Sequence, residues 1–524
     1  VKNYLKKSVL CRVICTFLVT FLFFGQVSYA STPGQQAQQA SLTERTGQTE
    51  ETQEPQQGDQ NASDLLYLGG VLEMIRDQYK GDISEEELVY GAVRGMLGSL
   101  DDYTTYFDNE QTDTFIESIN GTFGGIGVSM RVNGDYITIL EVYPDTPAEK
   151  AGLLQGDKII DADGISLVKQ DTDKAASVIR GEVGTKVRLG ILRDGSATIK
   201  IIDVTRDIVR INPVTYEIRG DIGYIKLDSF NENTDEFMSK ALQEMDDNGI
   251  TKLVFDLRDN PGGEVNQAVQ VARKFVPKGL ITKLDYHSSR YDDINYYSYL
   301  DNPKYKLAVL VNGLSASASE IVAGAIQDTS AGKLVGTKTY GKAKFQSLIP
   351  LLSLDAFNKY AQMGIYTVSG NELQAFYGIT PKESEIVGYT KMSLGVYYTP
   401  NGRMIDGAGL VPDIVEDDSP AVNGVHIDTI RKLGGTVLLK LNSVGMDVYY
   451  TEMLLKAMDY KIEAPDNLMD EESVAALRSY QKKSGLYVDG ILGEKTRVAL
   501  NNDLLKLINK YDNQYVAAVA SLNE

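Results

Sequence analysis

The sequence predicts a multidomain α/β protein. Three observations carry this. Residues 206–418 alternate short apolar strand patterns with amphipathic helical ones. Residues 119–205 are β-rich, with short strands between Gly-containing turns. Residues 430–510 read as helices. A chain of 524 residues has room for several domains, and 43% hydrophobic against 24% charged residues is enough to give each a core.

Residues 1–30 read as a secretory signal. Lys2, Lys6, Lys7 and Arg12 form a basic start, Val13 to Phe24 an apolar run, and Ser28-Tyr29-Ala30 a small-residue cleavage site. The apolar run is shorter than the roughly 20 residues a spanning helix needs. An uncleaved anchor remains the alternative. Cys11 and Cys15, the two cysteines, lie in this segment. Its removal would leave no thiol for a disulfide, a Cys-based metal site or a cysteine nucleophile. Residues 31–62, rich in Gln, Thr, Ser and Glu, read as a disordered linker. The net charge of −20 argues against nucleic acid as a partner, since phosphate binding needs basic patches.

Residues 63–118 read as an N-terminal helical region. Leu65, Leu66, Leu68, Val71, Leu72, Met74 and Ile75 give a broad apolar face, and Ser84 with Glu87 reads as a capping box opening a helix over 85–97. Within 119–205, strands are expected at Tyr136 to Val142, Lys158 to Ala162 and Lys186 to Arg193, with a helix from Asp173 to Arg180. No βαβ context surrounds Gly124 to Gly127, so a dinucleotide site is a poor reading.

The α/β body is placed at 206–429. Strands are expected at Ile222 to Leu227 and Leu253 to Leu257, with an amphipathic helix between them at Thr234 to Asn248. The second strand ends in Arg258-Asp259-Asn260-Pro261-Gly262-Gly263. Glycine there lets backbone N–H groups approach a ligand closely. Asp256 lies inside the strand and reads as structural. Lys306 to Val311 is a further buried strand, and a helix follows from Ser319. Ser315, Ser317 and Ser319 therefore sit on a strand-to-helix turn, where first-turn N–H groups lack partners and can stabilise an oxyanion. A serine nucleophile needs a base. His287 and His426, the two histidines, lie in no recognisable catalytic setting. Lys342, after an apolar strand and a Tyr340-Gly341 turn, is the alternative, provided burial disfavours its charge. Gln346 shares its face if the segment is extended.

The residues SASASE, then Gly341-Lys342, then Gln346 resemble the active site of the carboxy-terminal processing (tail-specific) proteases. The 25-residue spacing from Ser317 to Lys342 fits that family. The resemblance implies that Ser317 is the nucleophile, Lys342 the base and Gln346 its support. It makes DLRDNPGG the oxyanion segment, with the N–H groups of Gly262 and Ala318 forming the hole. Ala343-Lys344 departs from the family's small pair, and a second charge at Lys344 should point away from a neutral Lys342. Ser99 to Thr104 (SLDDYT) resembles a further family motif, with Asp102 in place of the usual proline. The family's body is distantly related to crotonase folds.

Thr146 to Leu167 resembles bacterial protease PDZ domains. Such domains take an extended peptide by strand addition and hold its carboxylate on backbone N–H groups. Gly124, Gly125, Ile126, Gly127 and Val128 are the implied peptide-binding residues, with Ile126 and Val128 lining an apolar pocket. Arg180 is either a contact to the body or a surface charge. Residues 351–391 are an insertion relative to the family; a lid, a side pocket and an inert excursion all fit. The pattern resumes at Tyr398 to Arg403. Asp470 to Leu500 resembles peptidoglycan-binding modules, placed at 430–510 as a separate unit, with 511–524 read as a frayed tail. In the family the N-terminal region carries dimer contacts; on the residues alone, a helical pair packed on its own body fits equally. The resemblance thus implies an extracytoplasmic serine endopeptidase, secreted or held at the membrane or wall. Its partners would be proteins with apolar carboxy-termini, cell-wall peptidoglycan and a second copy, with no metal or organic cofactor implied. A silent wall-bound peptide-binding scaffold and an acyl-CoA enzyme are the readings it displaces.

Overall fold

The structure, a computed structural model, describes residues 57–193, 198–435 and 437–524. The expected signal segment and most of the expected linker lie outside the described residues. The chain divides into two units at Asp82/Ile83. The first contains helix α1 (Gln57–Gln78), which begins inside the stretch read as linker. Its Leu65, Leu66, Tyr67, Leu68 and Met74 are exposed.

The second unit opens with α2 (Glu85–Gly98), started by the expected capping box: the Glu87 N–H donates to Ser84 Oγ at 3.1 Å, and the Ser84 N–H to Glu87 Oε2 at 2.8 Å. Strand β1 (Thr105–Phe107) and helix α3 (Asn109–Asn120) follow. The region is thus not wholly helical, and β1 becomes part of a distant sheet.

The β-rich module matches expectation closely. Strands β2 (Thr122–Gly125), β3 (Val128–Asn133) and β4 (Tyr136–Val142) lead to the short helix α4 (Pro147–Lys150). Strands β5 (Lys158–Ala162) and β6 (Ile165–Ser166), helix α5 (Thr172–Ile179), and strands β7 (Lys186–Leu192), β8 (Lys200–Thr205) and β9 (Asp207–Arg210) complete it. The sheet runs β3-β4-β5-β7-β8, and β2 pairs with β9. Alternate residues such as Ile137, Ile139, Val187, Leu189 and Ile191 fill its own core.

The body is built on a mostly parallel sheet. Its elements are β10 (Val214–Arg219), β11 (Ile222–Leu227), α6 (Thr234–Asp247), β12 (Lys252–Asp256) and α7 (Val265–Ala272). Next come β13 (Gly279–Tyr286), β14 (Ile294–Ser298), β15 (Lys306–Val311), α8 (Ala318–Asp328) and β16 (Lys333–Gly336). Then follow β17 (Lys344–Leu352), α9 (Leu354–Ala361), α10 (Gly370–Tyr377), β18 (Ile386–Tyr398) and β19 (Ile414–Val415). The main sheet has the order β10-β11-β12-β15-β16-β19, and a second sheet the order β1-β18-β13-β14 with β17 on β18. Residues 351–391 contribute α9, α10 and the start of β18, around a small core of Leu352, Ala356, Tyr360, Ile365 and Leu373.

A parallel sheet must be covered on both faces. On β12, Leu253 and Phe255 face a core shared with α6, α7 and α8, while Val254 faces the other way. That opposite face is covered by the C-terminal helices α11 (Met446–Ala457), α12 (Glu471–Lys483), α13 (Glu494–Tyr511) and α14 (Asn513–Ser521). Two expectations are corrected here. The C-terminal helices are not a separate unit: Val254, Ala308, Leu310 and Val335 share one core with Leu454, Leu477 and Tyr515. Residues 511–524 are not a frayed tail: α14 buries Tyr515, Ala518 and Leu522 against β15 and β16.

Candidate active site

The turn between β15 and α8 distinguishes its three serines. Ser315 Oγ donates to the Leu257 carbonyl at 2.8 Å, and Ser319 Oγ to the Asn260 carbonyl at 2.9 Å; both serines are fully buried. These hydroxyls tie the turn to the loop after β12. Ser317 stays half-buried, with φ 56° and ψ −116°, where a residue with a Cβ is strained. Such strain persists only where the surroundings hold it.

Two side chains hold it. The Glu320 carboxylate accepts from the N–H of Ser317 at 2.9 Å, of Gly341 at 2.7 Å and of Lys342 at 2.9 Å, and from Thr339 Oγ1 at 2.6 Å. The Tyr397 hydroxyl points at the carbonyls of Lys342, 2.6 Å away, and of Ser317, 3.0 Å away. The candidate nucleophile and base are thus fixed to one carboxylate and one phenol. Burial pushes the Glu320 carboxyl up, against the pull of its four donors. Burial also pushes the Tyr397 phenol far up, so it remains a donor.

Gly262 adopts φ 103°, and a Cβ on it would lie 2.8 Å from Ser317 Cβ and 2.9 Å from the Ala318 nitrogen. Only glycine allows that approach. Ala318 opens α8, so its N–H has no acceptor within the helix. The Gly262 N–H, in contrast, donates to Asn260 Oδ1 at 2.9 Å. In this arrangement the expected pair of oxyanion donors is half engaged. Asp256 is structural as expected. It is fully buried and paired with Arg258 at 2.6 Å, and Arg258 also reaches Asp512 at 3.0 Å. Burial would raise the Asp256 carboxyl, but Arg258 outweighs it and holds it low.

Lys342 is half-buried, and burial, aided by repulsion from Lys391, brings its amine down to about 8. Nζ stands 4.4 Å from the centre of the Tyr103 ring. It makes no hydrogen bond to Ser317 Oγ. Gln346 is a correction: its Nε2 donates to the Lys344 carbonyl at 3.1 Å and to Ser393 Oγ at 3.2 Å, not to Lys342. The expectation assumed one extended segment, but β17 begins only at Lys344 and Lys342 lies in the turn before it, so the two side chains do not share a strand face. Lys344 is neutralised by Asp101 at 3.3 Å.

The residues that sequence reasoning missed are Tyr103, Glu320 and Tyr397. The first two lie inside quoted motifs, SLDDYT and SASASE. Tyr397 lies in a strand pattern that gives no sign of its role. In the PDZ-like module, Gly124 and Gly125 belong to β2, and Gly127 has φ 85°. Val128 packs on the core, and Ile126 is corrected: it is 2% exposed and buried in that core, not lining an open pocket. Its carbonyl accepts the Ala148 N–H at 2.8 Å, a bond that draws the loop over α4. Arg180 stacks on Phe123 at 5.0 Å and pairs with Glu117 of α3 at 4.0 Å.

Residues 221–384 match the model of peptidase family S41. Residues 124–201 match the PDZ domain and residues 445–500 a peptidoglycan binding domain. Residues 22–111 match the N-terminal domain of the activating protease CtpB. These define a serine-type peptidase with a PDZ domain and a peptidoglycan-binding domain. A carboxy-terminal-processing protease of Bartonella bacilliformis is 33% identical over 366 residues, covering 68% of this chain and 76% of that one. The carboxy-terminal processing proteases CtpA and CtpB of Bacillus subtilis are each 29% identical, CtpA over 87% of this chain and 90% of its own, CtpB over 86% and 87%. The chain belongs to the carboxy-terminal processing protease family.

Proposed function

We propose that this protein is an endopeptidase using Ser317 as nucleophile and Lys342 as general base. The neutral amine takes the Ser317 hydroxyl proton as Oγ attacks the peptide carbonyl. The oxyanion is stabilised by the Ala318 N–H, joined by the Gly262 N–H when Asn260 releases it. Collapse expels the amine product, which receives the proton from the Lys342 ammonium. Water then attacks the acyl-enzyme, with Lys342 again as base. The PDZ domain captures an apolar carboxy-terminus by strand addition next to Gly124 to Val128. The enzyme acts outside the cytoplasm, where the peptidoglycan-binding domain meets its ligand; no described helix is long and apolar enough to cross a membrane.

The observation that carries this reading is the shared frame: Ser317 and Lys342, 25 residues apart, are bonded to the same Glu320 and the same Tyr397. The test is incubation of wild type and Ser317→Ala with an unstructured protein ending in apolar residues, mapping products by mass spectrometry. Wild type cleaves and Ser317→Ala does not; full turnover by Ser317→Ala refutes the assignment. A second reading, a silent peptide-binding scaffold, draws on the engaged Gly262 N–H and the Lys342 amine lying off Ser317. It requires peptide binding without cleavage by wild type.

A further inference from the structure

Lys342 has an unusual set of neighbours for a buried amine. Among the described residues, no carboxylate lies within ion-pair distance of Nζ and Nζ makes no hydrogen bond. The carboxylates around it are occupied: Asp101 by Lys344 and the Tyr103 and Thr104 N–H groups, Glu320 by its backbone donors, Asp406 by the Ala343 N–H at 2.9 Å. On β18, Lys391 adds a repelling charge. What faces the amine is the Tyr103 ring. The negative face of an aromatic ring attracts an ammonium and not a neutral amine.

That ring does not come from the peptidase module. Tyr103 lies before the PDZ domain, in the turn between α2 and β1. Asp101 Oδ1 accepts its N–H at 3.0 Å, and β1 binds it to the body by pairing Thr105 with Lys391 of β18. Thr104 Oγ1 adds a bond from the Ser393 N–H at 3.3 Å. The phenol side meets Tyr340, beside the lysine's own turn. The ring is therefore fixed over the amine from the N-terminal side of the chain.

We propose that Tyr103 is a further residue of the active site, whose ring face sets the position and the charge state of the Lys342 amine. This rests on the reading of Lys342 as the base. With the ring in place, the amine is held as an ammonium off Ser317. Catalysis requires it to shed a proton and turn to Ser317 Oγ, so the ring contact opposes the active form. The segment leading from α2 into β1 thereby reaches the chemistry directly.

The test compares full-length wild type with Tyr103→Leu, which removes the ring face, and Tyr103→Phe, which keeps it. In Tyr103→Leu the acid limb of kcat/KM on a peptide substrate moves down by about half a unit to one unit, so that cleavage below the limb rises roughly threefold to tenfold. Tyr103→Phe keeps the wild-type limb. A second readout does not depend on turnover. In the Ser317→Ala background, the pH dependence of Lys342 labelling by an amine-reactive reagent, read by mass spectrometry, moves down by the same amount with Tyr103→Leu. Should Leu lower the melting temperature, Tyr103→Met, of similar reach and without a ring, replaces it. Unmoved labelling in a folded Leu or Met variant overturns the proposal, as does an equal shift in Tyr103→Phe. Cleavage surviving in Ser317→Ala or Lys342→Ala instead overturns the dyad, leaving the labelling result to stand by itself.

Discussion

The Tyr397 hydroxyl lies 2.6 Å from the carbonyl oxygen of Lys342, and the same hydroxyl is 3.0 Å from that of Ser317. One proton serves two acceptors, so the two carbonyls converge on a single point of β18. Tyr397→Phe keeps the buried ring and deletes only that point. Loss of the bond costs about 1–2 kcal/mol of stability. Misplacing a reacting group by even about 1 Å costs up to about a hundredfold in rate. The expected result is kcat lowered about tenfold to a hundredfold with KM unchanged. Kinetics on a peptide substrate and a denaturant titration check it; a raised KM with kcat intact would assign the hydroxyl to substrate binding.

Glu320 holds the same two residues from their N–H sides. A carboxylate can accept from all four of its donors, but an amide offers one oxygen and turns an NH₂ towards the rest. Glu320→Gln therefore strands at least one buried N–H among Ser317, Gly341 and Lys342. An unsatisfied buried donor costs about 1–3 kcal/mol. The strained backbone of Ser317 then relaxes and cleavage is lost. Thermal unfolding and peptide hydrolysis together check this; wild-type activity in the Gln variant would show that the carboxylate's second oxygen is dispensable.

The candidate site was legible where it is local. Ser317, Lys342 and Gly262 sit in short motifs whose spacing constrains their geometry. What was missed depends on long-range pairing. Tyr103 reaches Lys342 because β1 pairs with β18, which no local pattern announces. Tyr397 acts on carbonyls, which any sequence supplies. Gln346 lies on β17, which starts only after Lys342, so alternation along the strand does not carry back to the lysine. The C-terminal segment failed for another reason. Its apolar run from Tyr515 to Ala520 is short and mostly of small residues, and only the second face of the main sheet gives Tyr515, Ala518 and Leu522 something to cover.

That C-terminal helix also reaches the loop that carries Gly262. Arg258 is 4% exposed and is held by Asp256 on one side and Asp512 and Gln514 on the other. Asp512→Ala removes half of this pairing and leaves the guanidinium under-compensated. Breaking a buried pair costs about 3–5 kcal/mol. Because Arg258 leads directly into Asp259 to Gly263, the Gly262 approach to Ser317 loosens with it. The expected outcome is a lower melting temperature and a fall in kcat, with peptide binding to the PDZ domain unchanged. A chain truncated after Lys510 that keeps full stability and activity would remove α14 from the argument.

Lys342 gives a stability prediction whose sign follows from its burial. Burial lowers its amine from an ordinary 10.5 to about 8 in the fold. Below pH 8 both folded and unfolded chains carry the ammonium, and the fold bears the whole desolvation cost. From about 8 to 10.5 the unfolded chain holds more protons than the folded one, so stability rises with pH. Above 10.5 both are neutral and the cost is gone. Lys342→Met keeps the reach of the side chain without the charge. It is expected to be more stable than wild type by about 1–3 kcal/mol at neutral pH, towards the lower end because the Tyr103 ring already compensates part of the charge. The advantage shrinks through about pH 9 and vanishes above 10.5, while cleavage is absent throughout. Urea titrations at these pH values decide it. A Met variant less stable than wild type at neutral pH would mean that the ammonium is stabilised, not penalised, where it lies, and an amine so held could not act as a base.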